Sequence, residues 1–308
     1  MNQKVTVFGA GRVGAATAQR LVERDIADVV LIDIVAGIPQ AKAMDMMQSA
    51  PIEGFTCRIR GSNDPSECRD SDLVVIASGV PRRPGMTRED ILPVNAGIVS
   101  AVCESIKLHA PQAVVIVVTN PLEQMTQLAA AKLAFPKSRI MGMGVNLDSA
   151  RFRYFLATEL GVAFSETEAV VLGGHGEEMV PIVSRARVGD RKLRELLSND
   201  RLDAVVARTR RAGTEILERL KDGNASFAPS SATVELVRAV LRDEKRLLPV
   251  AAYCNGQYDI KDVFVGVPCI LGKSGVERVV EWELADEERA GLQTFADRIR
   301  GKVQKLHL

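Results

Sequence analysis

The chain has 308 residues, 46% hydrophobic and 26% charged, with 40 Lys and Arg against 39 Asp and Glu for a formal net charge of +1. That length accommodates two domains, each with its own core, and the composition excludes a largely disordered chain. Near-neutrality offers no broad field for nucleic acid or a membrane surface, so neither is expected as a partner.

The five cysteines, at 57, 68, 103, 254 and 269, lack CxxC or zinc-ligand spacing, and four lie in or beside apolar runs. Reduced core thiols in a cytoplasmic protein are expected, with no metal site. Strand-like residues begin at Lys4, so no signal peptide is expected. No apolar stretch is expected to approach the roughly 20 residues that span a bilayer.

In chain order, 4–8 reads as a buried strand, and Gly9-Ala10-Gly11-Arg12-Val13-Gly14 follows it directly, opening an Ala-rich helix to about Glu23. A second strand, 28–32, ends at Asp33, 19 residues after Gly14. A glycine pattern in this strand-turn-helix-strand setting predicts a dinucleotide site: tight turn, close backbone approach to a pyrophosphate, close helix packing. Helix N-terminal amides then face the phosphates. An acid at the offset of Asp33 binds a ribose 2′-OH and repels a 2′-phosphate, so NAD is expected rather than NADP.

The alternation continues with a helix at 37–49, a strand at 72–77, a helix at 88–109 and a strand at 113–118. A helix at 122–134 and a short strand at 139–141 complete a domain over 1–145. Near-continuous Val and Ile predicts strands buried on both faces, as in a parallel sheet. Ser78-Gly79-Val80-Pro81 and Thr119-Asn120-Pro121 follow the carboxyl ends of such strands, where open α/β sheets bind ligands. Between strand and helix, 81–88 carries Arg82, Arg83 and Arg88 among Gly and Pro, a candidate lid. One arginine there could hold a distal carboxylate and another polarise a reacting C–O bond, which implies a small dicarboxylate.

Over 146–308 the pattern changes to longer units, an α+β substrate domain. Helices are expected at 149–160, 200–221, 230–240 and 286–305, with strands near 168–172, 247–253 and 263–271. The segment 223–229, rich in small residues, breaks two of these helices and could cover a substrate. The basic run 208–211 reads as a solvated helix face.

His175, one of three histidines, ends a strand in Gly173-Gly174-His175-Gly176. Asp148 and Arg151 are one helical turn apart and share a face. Taken singly, these are a loop histidine and an ordinary ion pair. Together they are the parts for oxidising a 2-hydroxy acid: a carboxylate that fixes the imidazole tautomer, a base, and a planar guanidinium for a substrate carboxylate.

These motifs, in this order over nearly the whole chain, make it similar to the NAD-dependent malate dehydrogenases of the lactate dehydrogenase-like type. The resemblance implies a Rossmann-type doubly wound parallel sheet followed by the α+β catalytic domain. It implies His175 as proton acceptor, Asp148 as its orienting partner, and Arg151 as receptor for the carboxylate beside the reacting carbon. It further implies that Arg88 stabilises the developing oxyanion, that Asn120 hydrogen-bonds substrate near the nicotinamide, and that Arg82 pairs with the distal carboxylate, separating malate from lactate. Gly9, Gly11, Arg12, Val13, Gly14, Asp33, Asn95, Thr119 and Asn120 would contact NAD. Malate and oxaloacetate are the implied substrates and a homodimer or homotetramer the implied assembly. The alternatives are an L-lactate or other 2-hydroxy acid dehydrogenase, and a catalytically impaired NAD-binding regulatory protein.

Three positions depart from the family pattern. Glu177-Glu178 stands where Asp and a small hydroxyl residue are usual, and two more carboxylates near His175 would favour its charged form or repel a dianionic substrate. Val145-Asn146 is nearer to the lactate enzymes, and Arg211-Ala212 replaces an Asn-Gly.

Overall fold

The computed structural model describes residues 2–81, 86, 88–221 and 223–304, with backbone alone for Arg88, Glu89 and Gln304. Its first half alternates β1 (Lys4–Phe8), α1 (Arg12–Glu23), β2 (Asp28–Ile32), α2 (Ile38–Glu53), β3 (Ile59–Ser62), β4 (Leu73–Ile76), α3 (Arg88–His109), β5 (Val114–Val117), α4 (Leu122–Leu133) and β6 (Ile140–Gly142). The strands pair in parallel in the order β3-β2-β1-β4-β5-β6, the doubly wound arrangement expected. Strand periodicity divides the apolar residues between two layers. Val5, Val7, Leu73, Val75, Val114 and Ile116 enter one core, while Phe8, Val74, Ile76, Val115 and Val117 enter the other.

Helix α3 corrects one expectation. Asp90–His109 is, by length and composition, apolar enough to cross a bilayer. In the fold Val99, Cys103 and Ile106 are buried in the second core, with α4 as neighbour, while Val94 and Leu108 on the same helix are exposed.

The second half opens with α5 (Gly144–Leu160), then β7 (Thr167–Glu168), β8 (Val171–Gly173), β9 (Met179–Pro181), β10 (Arg187–Val188) and β11 (Arg191–Lys192). It continues with α6 (Asn199–Leu220), α7 (Phe227–Leu241), β12 (Arg246–Asn255), β13 (Lys261–Gly272), β14 (Gly275–Val279) and α8 (Asp286–Gln304). β12 and β13 form a long antiparallel pair, and β12 joins β6 at Ala251 opposite Gly142, so one sheet runs through both halves. β13 pairs with β8 at Gly266 opposite Gly173, which anchors the strand end just before His175. Helix α1 of the first half packs on α7 of the second, with Arg20 Nε donating to Ser231 Oγ at 3.1 Å.

Helix α5 begins at Gly144, five residues before the expected start, so Asp148 and Arg151 lie within it. Part of the cause is Asn146, whose amide donates to Glu235 Oε2 at 2.9 Å and to the Ala232 carbonyl at 3.3 Å, tying the first turn to α7. The departure at 146 therefore has a role in packing. β3 was not anticipated, because Arg60 and Gly61 interrupt its apolar pattern.

Candidate active site

A cleft of about 770 Å³ opens above the carboxyl ends of β1, β4, β5 and β6. Gly9, at φ 101°, makes the turn out of β1; a Cβ there would lie 2.8 Å from the Ala77 carbonyl, so only glycine lets the β1 and β4 loops touch. A Cβ on Gly14 would stand 1.8 Å from the Gly9 oxygen, so its absence brings α1 against the turn. Gly11 caps α1 and faces open space, with nothing within 4 Å of where its Cβ would be. Arg12 and Val13 follow in the first turn and line the cleft. Asp33 accepts the N–H groups of Ala10 at 2.7 Å and Val35 at 3.0 Å, which locks the acid beside the glycine loop.

Thr119 Oγ1 donates to the Ser78 carbonyl at 2.6 Å, joining the β4 and β5 loops. Asn95 is buried; its Oδ1 accepts Val80 N–H at 2.8 Å and its amide donates to the Asn120 carbonyl at 2.7 Å. Its side chain thus holds the cleft wall together. Asn120 Oδ1 is buried without a hydrogen-bond partner among the described residues, an acceptor awaiting a donor from a ligand.

The second half contributes a buried Asp148–His175–Arg151 cluster. Asp148 is fully buried; its Oδ2 lies 2.7 Å from His175 Nδ1 and accepts Gly176 N–H at 3.2 Å, while its Oδ1 receives Arg151 Nη1 at 3.1 Å. Burial works hardest against that charge, but His175, Arg151 and the Gly176 N–H together outweigh it, holding the carboxyl below the ordinary aspartate value. With Nδ1 bound to the carboxylate, proton exchange falls to Nε2. Arg151 Nε is buried without a partner among the described residues, and Gly213 of α6 leaves room beside its guanidinium.

Two site residues escaped the sequence reading. Glu123, buried in the first turn of α4, accepts the backbone N–H of His175 at 2.7 Å. Gly144 lies beneath the imidazole, where a Cβ would come within 2.7 Å of His175 Cβ. The signal for Glu123 was its place two residues after Asn-Pro at a helix start, where a carboxylate is favoured. Of the basic run, Arg208 pairs with Glu215 at the surface as expected, but Arg210 lines the cleft. So does the 223–229 segment, through Gly223, Asn224, Ala225 and Pro229. Arg82 lies outside the described residues, and of Arg88 only the backbone, the first residue of α3, is described.

Comparison with known proteins places this geometry. The model of the lactate/malate dehydrogenase NAD binding domain matches residues 3–142, and that of the family's alpha/beta C-terminal domain matches 145–307. The chain belongs to the lactate/malate dehydrogenase family. It is 44% identical over 306 residues to the malate dehydrogenase of Roseiflexus castenholzii, covering 99% of each chain. It superposes on Cryptosporidium parvum malate dehydrogenase with a TM-score of 0.97 at 38% identity, covering 100% of this chain and 99% of the other. The lactate dehydrogenase of the same organism, solved with lactic acid and nicotinamide adenine dinucleotide, also gives 0.97, at 37% identity, covering 100% and 98%. Fold alone therefore does not separate the two activities within the family.

As a family member the chain is an NAD-dependent oxidoreductase with the α/β architecture expected. The cleft fits NAD: Gly11 leaves space above the α1 N-terminus, Asp33 stands at the end of β2, and Asn120 presents an unmatched acceptor. The departure at 177–178 also acquires a physical description. Glu178 pairs with Arg298 at 3.0 Å and Lys302 at 3.8 Å, so its charge is offset by α8.

Proposed function

We propose that this chain is a malate dehydrogenase that interconverts (S)-malate and oxaloacetate with NAD. The observation that carries the reading is the single carboxylate of Asp148 holding both His175 and Arg151 in the cleft beside the glycine loop. Arg151 grips the carboxylate next to C2 through its planar fork, and Asn120 orients the substrate near the nicotinamide. His175 Nε2 takes the C2 hydroxyl proton, and buried Asp148 stabilises the imidazolium that results. Bound NAD supplies the two-electron acceptor for C2. In the reverse direction His175 returns the proton to the carbonyl oxygen, whose developing charge Arg88 stabilises. Thr119, Asn95 and the 9–14 loop shape the cofactor side, and Asp33 selects NAD over NADP.

Arg82 pairs with the distal carboxylate of malate and oxaloacetate. An uncharged side chain in its place on the substrate would leave the guanidinium desolvated and unpaired, a penalty of several kcal/mol. The names of the curated relatives support malate over lactate, and the intact Asp148–His175–Arg151 constellation supports an active enzyme over a regulatory remnant. Steady-state rates on oxaloacetate and pyruvate, each with NADH and NADPH, test the reading. Preference for pyruvate overturns the substrate assignment, and comparable NADPH turnover overturns the role of Asp33.

The same proposal divides the labour near residue 145, with cofactor binding before it and substrate chemistry after it. It takes the enzyme as a cytoplasmic homodimer or homotetramer. Exposed Met44 and Ile52 on α2 and Tyr154 on α5 supply apolar surface for the interface. Light scattering of the purified protein would show a single monomeric mass if this is wrong.

A further inference from the structure

The reaction proposed above leaves unused the residues at which the chain departs from its family, Glu177 and Glu178. Both line the cleft. Glu177 is exposed, whereas the Glu178 side chain is 25% exposed and its Oε1 meets Arg298 Nη1 at 3.0 Å and Lys302 Nζ at 3.8 Å. Arg298 and Lys302 are four residues apart on α8 and share a face with Phe295 and Ile299. Ile299 and Lys302 line the cleft as well. Phe295 is buried, and a Cβ on Gly174 would lie 2.3 Å from its ring.

One helix face thus touches the catalytic loop on both sides of His175. The loop is tight: Gly174 N–H donates to the Glu178 carbonyl at 3.4 Å, and Met179 N–H donates to the Gly176 carbonyl at 3.1 Å. A shift of Glu178 is therefore transmitted to Gly174, and so to the histidine between them. Electrostatics point the same way. Glu177 and Glu178 alone would repel a dicarboxylate entering the cleft, but Arg298 and Lys302 bring the four groups to a net charge of zero.

We propose that α8 is part of the substrate site: Arg298 and Lys302 cancel the charge of Glu178 toward the incoming dianion, and the pair, with Phe295 against Gly174, positions the His175 loop. Glu178 and Arg298 are positioning residues, and the negative charge added by departing from the family pattern is offset from the C-terminal helix. This inference rests on the malate reading for its dianionic substrate.

The test is a charge-swap cycle in the full-length enzyme: Arg298→Glu, Glu178→Arg, and both together, with KM and kcat for oxaloacetate and the thermal unfolding midpoint of each. Arg298→Glu should raise KM roughly ten-fold and change kcat less, because it places an acid beside Glu178 where a cation stood. The double variant should return KM to within about two-fold of wild type, since the pair is re-formed in reverse. Arg298→Met, which keeps the apolar stem, should raise KM roughly two- to three-fold and serves if the reversal does not fold. Unfolding midpoints that fall while KM stays at the wild-type value would mean a surface staple only and overturn the proposal, as would a double variant no better than the worse single one. Wild-type turnover of oxaloacetate answers separately for the functional reading. If wild type prefers pyruvate, the same ratios measured with pyruvate still decide whether α8 acts on the site.

Discussion

The Glu123 carboxylate receives the backbone N–H of His175 at 2.7 Å, joining the first turn of α4 to a loop 52 residues further along the chain. With Asp148 on the ring and on the Gly176 N–H, two buried carboxylates from two helices hold three groups of this loop, two on His175 and one on Gly176. The imidazole is thus fixed from its backbone as well as from its ring.

Glu123→Ala should leave the buried His175 N–H without its acceptor, at a cost of about 1–3 kcal/mol in stability. The freed loop should lower kcat by roughly ten-fold or more, since small misplacements of a general base are expensive. Glu123→Gln keeps a carbonyl oxygen in place and should retain most of the activity. Equal losses in the two variants would show that the charge, and not the hydrogen bond, matters.

Asp148→Asn should lower kcat by roughly a hundred-fold, because the amide no longer fixes the tautomer or stabilises the imidazolium. The lowered carboxyl value also predicts a stability effect with a definite sign. The unfolded chain binds the proton more readily than the native one, so this contribution is complete above 3.8 and is lost as pH falls through the native value. Denaturant titrations from neutral to acidic pH should show wild type losing more stability than Asp148→Asn in that window.

Gly144→Ala should be inactive or nearly so while folded. The new methyl would stand 2.7 Å from His175 Cβ and 2.3 Å from Leu122 Cδ2; the leucine tip can move, but the histidine is held by both carboxylates. Near-wild-type kcat with an unchanged unfolding midpoint would refute the packing assigned to the imidazole.

Asp33→Ser should shift preference toward NADPH by roughly ten-fold or more in the ratio of kcat/KM values, since repulsion of a 2′-phosphate is removed. It should also cost stability, because the acid accepts the Ala10 and Val35 N–H groups. An unchanged ratio would mean that selection lies elsewhere.

All five cysteines are free and buried, and burial pushes Cys103 and Cys254 up to about 12. The native enzyme should react slowly with thiol reagents at pH 8, and all five thiols should become reactive on unfolding. Fast labelling of a native thiol accompanied by loss of activity would contradict this.

Much of the first half was legible because each local signal agreed with its neighbours. The run before Gly9, the glycine spacing and Asp33 specify one strand-turn-helix-strand unit, and β1 and β2 begin and end where the pattern puts them. Helical spacing put Asp148 and Arg151 on one face, and they acquired meaning only beside His175 and the glycine loop. Glu123 was marked only as an acid at a helix start; its partner, a backbone N–H in a distant loop, leaves no mark on sequence. Gly144 was missed for a similar reason: its work is to have no side chain under another residue. The start of α5 was misplaced because a tertiary hydrogen bond from Asn146 to Glu235, invisible locally, recruits that turn.

The sheet that passes from β6 into β12 limits how this enzyme can move. A rotation of one half on the other would break the ladder at Gly142 and Ala251 and separate α1 from α7. The floor of the cleft is therefore stiff, and the distance from the glycine loop to His175 is set when the chain folds. Substrate capture and water exclusion are left to the connecting segments above the strand ends, so turnover should respond to substitutions in those segments far more than to the solvent viscosity that slows domain rotation.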